Sequence, residues 1–421
     1  MRKIKETNQK QVYIWNMLGN LAAAGSSVLY MLLITRMTST STADIFSLVN
    51  GIAAVWGVIG LFQVRTFQGT DIKEKYSFSD YGMARMISIT LMILTLVPYL
   101  LATNFQIYHF ESMAIMVLFL LYRMCDAISD LYQGLFQQHE RLDLAGKSMT
   151  FRYGISVLVL WISLFLTNSL VISLVALFLV NLLFIVVYDI QIAPNFIKPS
   201  KIKESLKVTC KTAIQILQAC FPLFLSGFLL ALIFNEPKQA IAQGLLEGWI
   251  RQGAQRDYGI LFMPAFFMSL FILILRPLIT QLAIYWTNGQ KSQFKKISSK
   301  LFTSLFVGGG GIVVLSALLG IPVLSLIFGI DLSKDWACLQ LIVIGGVFYS
   351  VAITFIDIMT IFRQQRRFIP ILLIIAVLSK IITEPLVSIQ GLKGAGLSFL
   401  IVMVVFMTGN FFIYFSYIRR E

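Results

Sequence analysis

Twelve stretches of roughly 20 mostly apolar residues, separated by short polar links, dominate this sequence. Because a helix needs about 20 residues to cross the hydrocarbon core of a bilayer, the pattern predicts an all-α polytopic membrane protein with about 12 transmembrane helices. We number the predicted spans from one to twelve. They cover residues 15–35, 45–64, 84–103, 112–135, 150–167, 169–189, 212–234, 259–286, 302–328, 336–361, 369–389 and 395–417.

Lysine and arginine alternate between the two sides of these spans. Most of the 34 Lys and Arg residues lie before the first span, in every second link after it, and at the end of the chain. The opposite side holds six, namely Arg36, Lys238, Arg251, Arg256, Lys334 and Lys393. An excess of Lys and Arg in short loops marks the cytoplasmic side, so both termini are predicted to be cytoplasmic.

The composition excludes several other classes of protein. With 57% hydrophobic and 13% charged residues, the chain has too little polar surface for a soluble globular fold. Its net charge of +14 lies in juxtamembrane loops, which favours contact with membrane lipids and not with nucleic acid. Four scattered cysteines and two histidines indicate neither a disulfide framework nor a metal site.

The spans divide evenly around a basic linker. Six precede residues 193–211, where Pro194 and Pro199 interrupt helices among five lysines, and six follow. We therefore predict an N-terminal lobe over 1–192, a cytoplasmic linker over 193–211 and a C-terminal lobe over 212–421. Two six-helix lobes around a central cavity are a common transporter plan.

The links are too short to hold a soluble catalytic domain. The longest runs from Asn235 to Tyr258 on the predicted outer side, where residues 239–250 have the apolar spacing of an amphipathic surface helix. Whether this link gates or only caps a cavity is left open. The run Gly308–Gly311 is not a phosphate loop, because no Lys-Ser/Thr pair follows it. These features favour a transporter over an enzyme.

Ionisable residues inside a span are costly and mark functional sites or internal pairs. Arg123, Asp126 and Asp130 share one stripe of the fourth span. They form either a pair that neutralises itself or a site in which Arg123 presents a bidentate fork to phosphate while Asp126 positions it. Both readings can hold together.

Four further charges lie at predicted membrane depth in the C-terminal half. Arg276, just before Pro277, is predicted to face a cavity more readily than to reach an interface. Lys380 and Glu384 have the i, i+4 spacing of a local ion pair, which makes mutual neutralisation the leading interpretation. Asp357 is a weaker candidate for ion coupling.

Several segments, in order and at helix ends, carry a resemblance to a known family. They are Gly60-Leu-Phe-Gln-Val-Arg-Thr-Phe-Gln-Gly-Thr-Asp71 with Arg85, Asp126-Ala-Ile-Ser-Asp-Leu-Tyr-Gln-Gly134 with Gln137–Ser148 and Arg152, Asn235–Ile241, Phe262-Met-Pro264, and Arg276-Pro-Leu278. Together they resemble the polysaccharide flippases (Wzx-like) of Gram-positive bacteria, in the multidrug/oligosaccharidyl-lipid/polysaccharide exporter (MOP) superfamily. Within this pattern Arg65 either anchors its helix at the interface or lines a cytoplasmic entrance.

The resemblance implies translocation of an undecaprenyl-diphosphate-linked glycan, a precursor of capsule, teichoic acid or another wall polysaccharide, across a bacterial cell membrane. It implies partners among membrane lipids and other polysaccharide-assembly proteins. No cofactor is expected, and a sodium gradient, a proton gradient or the membrane potential would supply direction. The alternatives are a cation-coupled multidrug antiporter of the same superfamily, a membrane-embedded glycan polymerase or ligase, and a non-transporting scaffold.

Overall fold

The computed structural model describes residues 9–71, 74–102, 110–197, 206–265, 278–279, 281–362 and 364–419. All regular elements in these ranges are helical. Eleven of the helical stretches are long and apolar enough to cross a membrane. They are Gln9–Met37, Thr40–Gln68, Phe78–Ala102, Glu111–Gln138, Leu142–Thr167, Leu170–Asn195, Cys210–Glu247, Lys291–Phe328, Ser333–Ile361, Ile369–Gln390 and Leu392–Ile418.

Each of these eleven coincides with one predicted span, which confirms the all-helical polytopic fold. The remaining prediction, the eighth span over 259–286, falls largely on residues 266–277, outside the described part of the chain. The outward faces of the spans are apolar: Phe165, Leu326 and Ile389 expose 70%, 78% and 77% of their surface. In a water-soluble protein such faces would be buried, whereas here they suit contact with lipid tails.

The chain forms two compact units, Met1–Phe228 and Leu229–Glu421. In the first unit, the first and fifth spans pack closely through glycines. A Cβ on Gly19 would approach the Cα of Gly146 to 2.9 Å, and a Cβ on Gly146 would overlap the carbonyl of Trp15. Small residues at such crossings let membrane helices approach backbone to backbone. The predicted division into lobes at 193–211, and a cavity between lobes, stay predictions.

Among the described spans, the second, sixth and ninth contain local breaks in the α-helical pattern. The second span is interrupted after Leu61, where Phe62 and Gln63 adopt left-handed backbone angles (φ 43° and 56°) before the short helix Val64–Gln68. The sixth span passes through a π-helical turn at Ile185–Asp189, and the ninth through another at Ser316–Gly320. Such breaks free backbone groups and often lie at functional positions.

The seventh span corrects one sequence prediction. The outer link predicted over 235–258 does not exist as such, because one helix continues from Leu206 to Glu247. Ala240 and Ile241 are buried in it, so residues 239–247 do not lie along a surface as a separate amphipathic helix. Pro237 does not end the helix, because neighbouring protein groups can satisfy the backbone carbonyl that a proline leaves free within a membrane helix. Residues 248–253 alone connect it to the next helix, Ala254–Leu261.

Candidate functional site

A stripe of polar side chains runs along the fourth span. Successive members are three or four positions apart, except for one adjacent pair, so they lie along one face of the helix. From the middle of the span to its end they are Arg123, Asp126, Ser129, Asp130, Gln133 and Gln137. Partners from the second, third, fifth and sixth spans meet this face and form three clusters.

The first cluster surrounds Asp126. Its carboxylate accepts hydrogen bonds from Arg152 of the fifth span at 2.6 Å, from the hydroxyl of Tyr153 at 3.1 Å and from Arg123 at 3.3 Å. Arg152 also donates to Asn181 Oδ1 at 3.0 Å. The Arg152 side chain is 1% exposed, so its charge is neutralised almost wholly by Asp126.

Arg123 is held differently. One terminal nitrogen lies 3.4 Å from Asn50 Oδ1, and the guanidinium lies over the rings of Phe119 and Tyr122 at 5.3 and 5.8 Å. Its Nε has no hydrogen-bond acceptor among the described residues. With 25% of the side chain exposed, Arg123 is fixed in orientation but is not fully buried.

The second cluster surrounds Asp130. Arg85 of the third span donates to one carboxylate oxygen at 2.6 Å, and Arg65 approaches the other at 3.5 Å. Arg65 makes a shorter bond, 2.6 Å, to Gln133 Oε1, and a third, 3.2 Å, to Gln137 Oε1. The Arg65 side chain is 22% exposed, whereas that of Arg85 is 1% exposed.

Arg85 also hydrogen-bonds the backbone carbonyls that are left free where the second span is interrupted. It donates to the carbonyls of Gly60 and Leu61, each at 2.7 Å, and Ser88 donates to the Gly60 carbonyl as well. The left-handed residues Phe62 and Gln63 leave these carbonyls without their usual helical partners. A single guanidinium therefore neutralises Asp130 and caps a broken helix.

The third cluster contains a buried acid without a basic partner. Asp189, in the π-helical turn of the sixth span, accepts hydrogen bonds from Ser129 and Ser148, both at 2.7 Å. All three side chains are 0% exposed. No Lys or Arg in the described part of the chain forms an ion pair with Asp189.

The charges of the three clusters do not cancel. Four arginines face three aspartates, which leaves an excess of positive charge even with every aspartate ionised. Arg85 and Arg152 are committed inside the protein, so the accessible cations are Arg65 and Arg123. Arginine forks of this kind bind carboxylate and phosphate oxygens in bidentate geometry.

The second unit contains a separate charged cluster at helix ends. Arg251 binds Asp257 and Asp335, both at 2.7 Å, and Arg256 binds Asp257 at 2.8 Å. Burial alone would lower the pKa of Arg251, but the two carboxylates outweigh it and raise that pKa. These pairs tie the start of the helix Ala254–Leu261 to the start of the tenth span.

The structure places some of the predicted site residues with the expected partners and others with different ones. The predicted contact of Arg123 with Asp126 is present, and Asp130 pairs with Arg65 and Arg85. The Lys380–Glu384 pair was wrong: Lys380 Nζ lies 2.9 Å from Glu236 Oε1 of the seventh span. Arg276 lies outside the described residues, and the roles of all these residues, including Asp357, stay predictions.

Sequence reasoning missed the two arginines that are most buried in the described part of the chain. Arg85 and Arg152 occur in the family-like segments and near the starts of the predicted third and fifth spans, 84–103 and 150–167, but neither was singled out as a charge within the membrane. The third and fifth helices begin earlier than predicted, at Phe78 and Leu142, so both residues lie well inside their helices and not at the first turn. Asp189, at the end of the sixth predicted span, carried no signal beyond its charge in an apolar segment.

Comparison with known proteins identifies the fold. No family model and no curated protein sequence matches the chain. Among solved structures, a MATE transporter of Vibrio cholerae aligns with TM-score 0.62 and 14% identity over 98% of this chain and 97% of its own. An inward-facing multidrug resistance MATE transporter of the MOP superfamily aligns with TM-score 0.67 and 12% identity, over 96% and 95%. The chain has the fold of the MOP-superfamily transporters.

This fold includes a flippase as well as drug exporters. The lipid II flippase MurJ aligns with TM-score 0.66 and 15% identity over 94% of this chain and 87% of MurJ. At such low identities the likeness establishes the MOP architecture alone. The choice of substrate therefore rests on the side chains of the site.

Proposed function

We propose that this protein is a MOP-type flippase that moves an undecaprenyl-diphosphate-linked oligosaccharide from the cytoplasmic to the outer leaflet by alternating access. The observation that carries the proposal is the accessible guanidinium of Arg123 in a polar cluster with excess positive charge. A diphosphate headgroup offers the oxygens that such a fork binds. The polyprenyl tail can remain in lipid, so the protein must shield only the head.

The state of the aspartates argues against the alternative, a cation-coupled multidrug antiporter. A cationic drug would require an acid with free capacity at the site. Asp126 and Asp130 are each already bound by two arginines, and Asp189 is fully buried. An anionic substrate meets a net attraction at this stripe, whereas a cationic one meets a net repulsion.

Direction can come from the membrane potential, with or without a sodium or proton gradient. Moving a negative headgroup outward is favoured by an inside-negative potential, at about 2.3 kcal/mol per charge per 100 mV. Other polysaccharide-assembly proteins would supply the completed lipid-linked glycan and remove it. Within the second unit, Arg276, Lys380 and Glu384 are proposed to contribute to substrate binding, and Asp357 to ion coupling.

Arg123→Gln should abolish most export while leaving the fold intact. Asp126 keeps its 2.6 Å bond to Arg152, so the free energy of unfolding should change by no more than about 1 kcal/mol. Losing a charge-assisted contact to the headgroup should lower export at least about tenfold. The measurement is surface glycan in a depleted strain that expresses the variant at the wild-type level.

Arg419→Gln is the matched control, because it removes the same charge at the end of the last span, from a residue of the second unit that is not part of the stripe. It should export normally. Normal export by Arg123→Gln at matched expression would remove Arg123 from the headgroup site and with it the main support for the proposed substrate.

A further inference from the structure

A directed chain of hydrogen bonds joins the buried acid of the third cluster to an accessible arginine of the second. Arg65 donates to Gln133 Oε1 at 2.6 Å, Gln133 Nε2 donates to Ser129 Oγ at 3.0 Å, and Ser129 Oγ donates to Asp189 Oδ2 at 2.7 Å. Each group accepts from one neighbour and donates to the next, so all donors point toward Asp189. We call these four residues the Asp189 relay.

The relay is sealed except at one end. Gln133 is 3% exposed and Ser129 and Asp189 are 0% exposed, whereas the Arg65 side chain is 22% exposed. Chains in which every bond points the same way strengthen one another in a low-dielectric interior. A change of charge at the sealed end is therefore transmitted to the guanidinium at the open end.

Asp189 is in a position where its charge can change. Burial without an ion pair disfavours the carboxylate, whereas two short hydroxyl donors favour it. The charged or titratable groups near it are Arg152 of the fifth span, Tyr132 of the fourth span and its own neighbour Tyr188. Arg152 is already engaged by Asp126, so it only partly offsets the charge of Asp189.

We propose that Asp189 is a proton-binding site whose charge decides, through Ser129 and the amide of Gln133, whether Arg65 is held by the protein or released to bind an anionic headgroup. This inference rests on the proposed function for the identity of that headgroup. It assigns Asp189, Ser129 and Gln133 as positioning residues that act through Arg65.

Addition of one proton reverses the relay without breaking a covalent bond. Protonated Asp189 donates its O–H to Ser129 Oγ, and the hydroxyl of Ser129 turns to donate to Gln133. The amide of Gln133 then rotates so that its oxygen faces Ser129 and its NH₂ faces Arg65. The NH₂ of Gln133 and the guanidinium of Arg65 are both donors and now face each other. Arg65 therefore loses its shortest hydrogen bond, to Gln133, and keeps the longer contacts to Gln137 and Asp130.

The test measures binding of undecaprenyl diphosphate to the full chain in nanodiscs between about pH 5 and about pH 8. We expect the wild type to bind about tenfold more tightly at the acidic end, the value of one charge-assisted hydrogen bond. Apart from the titration of the ligand's own terminal phosphate, which is common to all variants, Asp189→Asn should bind with the acidic affinity at every pH. Gln133→Met, which cuts the relay, should show only the pH dependence of that phosphate.

Asp80→Asn is the control, because Asp80 is a buried aspartate of the same unit that binds Ser77 outside the relay. It should keep the wild-type pH profile. A wild-type profile in Asp189→Asn, or in Gln133→Met, would overturn the proposal. If Asp189→Asn folds poorly, Ser129→Ala, which also interrupts the relay, replaces it in the test and should likewise lose the wild-type pH profile.

A ligand-free measurement separates this inference from the proposed function. On acidification, the infrared difference spectrum of the wild type should gain the band of a protonated carboxyl, which should be lost in Asp189→Asn and kept in Asp80→Asn. If undecaprenyl diphosphate fails to bind the wild type at any pH, the proposed function fails and the infrared band alone decides whether Asp189 binds the proton. A band that persists in Asp189→Asn would reject the proton site.

Discussion

Replacement of Asp126 by alanine should destabilise the protein by about 3–5 kcal/mol, because it leaves Arg152 buried without its counter-charge. The Arg152 side chain is 1% exposed and would keep the amide oxygen of Asn181 and the ring of Tyr153 as neighbours, neither of which carries a counter-charge. An uncompensated charge at this depth must draw in water or shift toward an interface. The free energy of unfolding in detergent, from denaturant or thermal titration, measures the effect.

A double variant separates loss of charge from loss of packing. Asp126→Ala combined with Arg152→Met removes both ions, and replacing a buried pair by apolar residues is often neutral. We expect the double variant to recover most of the lost stability. If Asp126→Ala is as stable as the wild type, Arg152 does not depend on Asp126 and the first cluster has been assigned the wrong role.

Arg85→Gln should have an effect of similar size for a second reason. It leaves Asp130 with Arg65 alone, at 3.5 Å, and removes the donor that satisfies the carbonyl of Leu61 at the break of the second span. A buried polar group without a partner costs about 1–3 kcal/mol, and a buried charge that loses its partner costs about 3–5 kcal/mol. We expect a total loss of at least about 3 kcal/mol in the same unfolding assay.

The charge-preserving variant Arg85→Lys tests the geometry. Lysine can neutralise Asp130 but lacks the fork that reaches the two carbonyls as well, so it should rescue only part of the loss. Arg419→Gln, at the end of the last span, should unfold like the wild type. Full rescue by lysine would mean that Arg85 acts through its charge and that the helix break does not need it.

The spans were predictable from sequence because a helix needs about 20 mostly apolar residues to cross a bilayer, and each such stretch is visible in the sequence. Their beginnings were not. Arg85 and Arg152 lie inside helices because Asp130 and Asp126 of the fourth span neutralise them. The hydropathy of a segment treats every arginine in it as unfavourable for insertion into the membrane. It contains no information about an acidic partner on another helix.

The absence of information about other helices also explains which ion pairs were predicted correctly. Arg123 and Asp126 are three residues apart on one helix, so their contact follows from local geometry. Lys380 and Glu384 have equally good spacing, yet Glu236 of the seventh span takes the lysine. Asp189 depends on two serines from different spans, a relation that no spacing along the chain reveals.

The extension of the seventh helix to Glu247 shows a further limit. Pro237 and the polar residues around it indicate a link by composition, but buried contacts on the surrounding helices keep the segment helical. Proline removes one backbone donor and does not by itself decide where a packed membrane helix ends.

The central claim, that the chain flips a lipid-linked glycan, is tested most directly by a leaflet-resolved measurement of undecaprenyl-diphosphate-glycan in cells depleted of the protein, compared with the same cells expressing it again. We predict that the complete lipid-linked glycan accumulates on the cytoplasmic leaflet on depletion and returns to the outer leaflet on re-expression. A normal distribution of the glycan between leaflets, together with altered sensitivity to cationic drugs, would contradict the flippase and favour the antiporter.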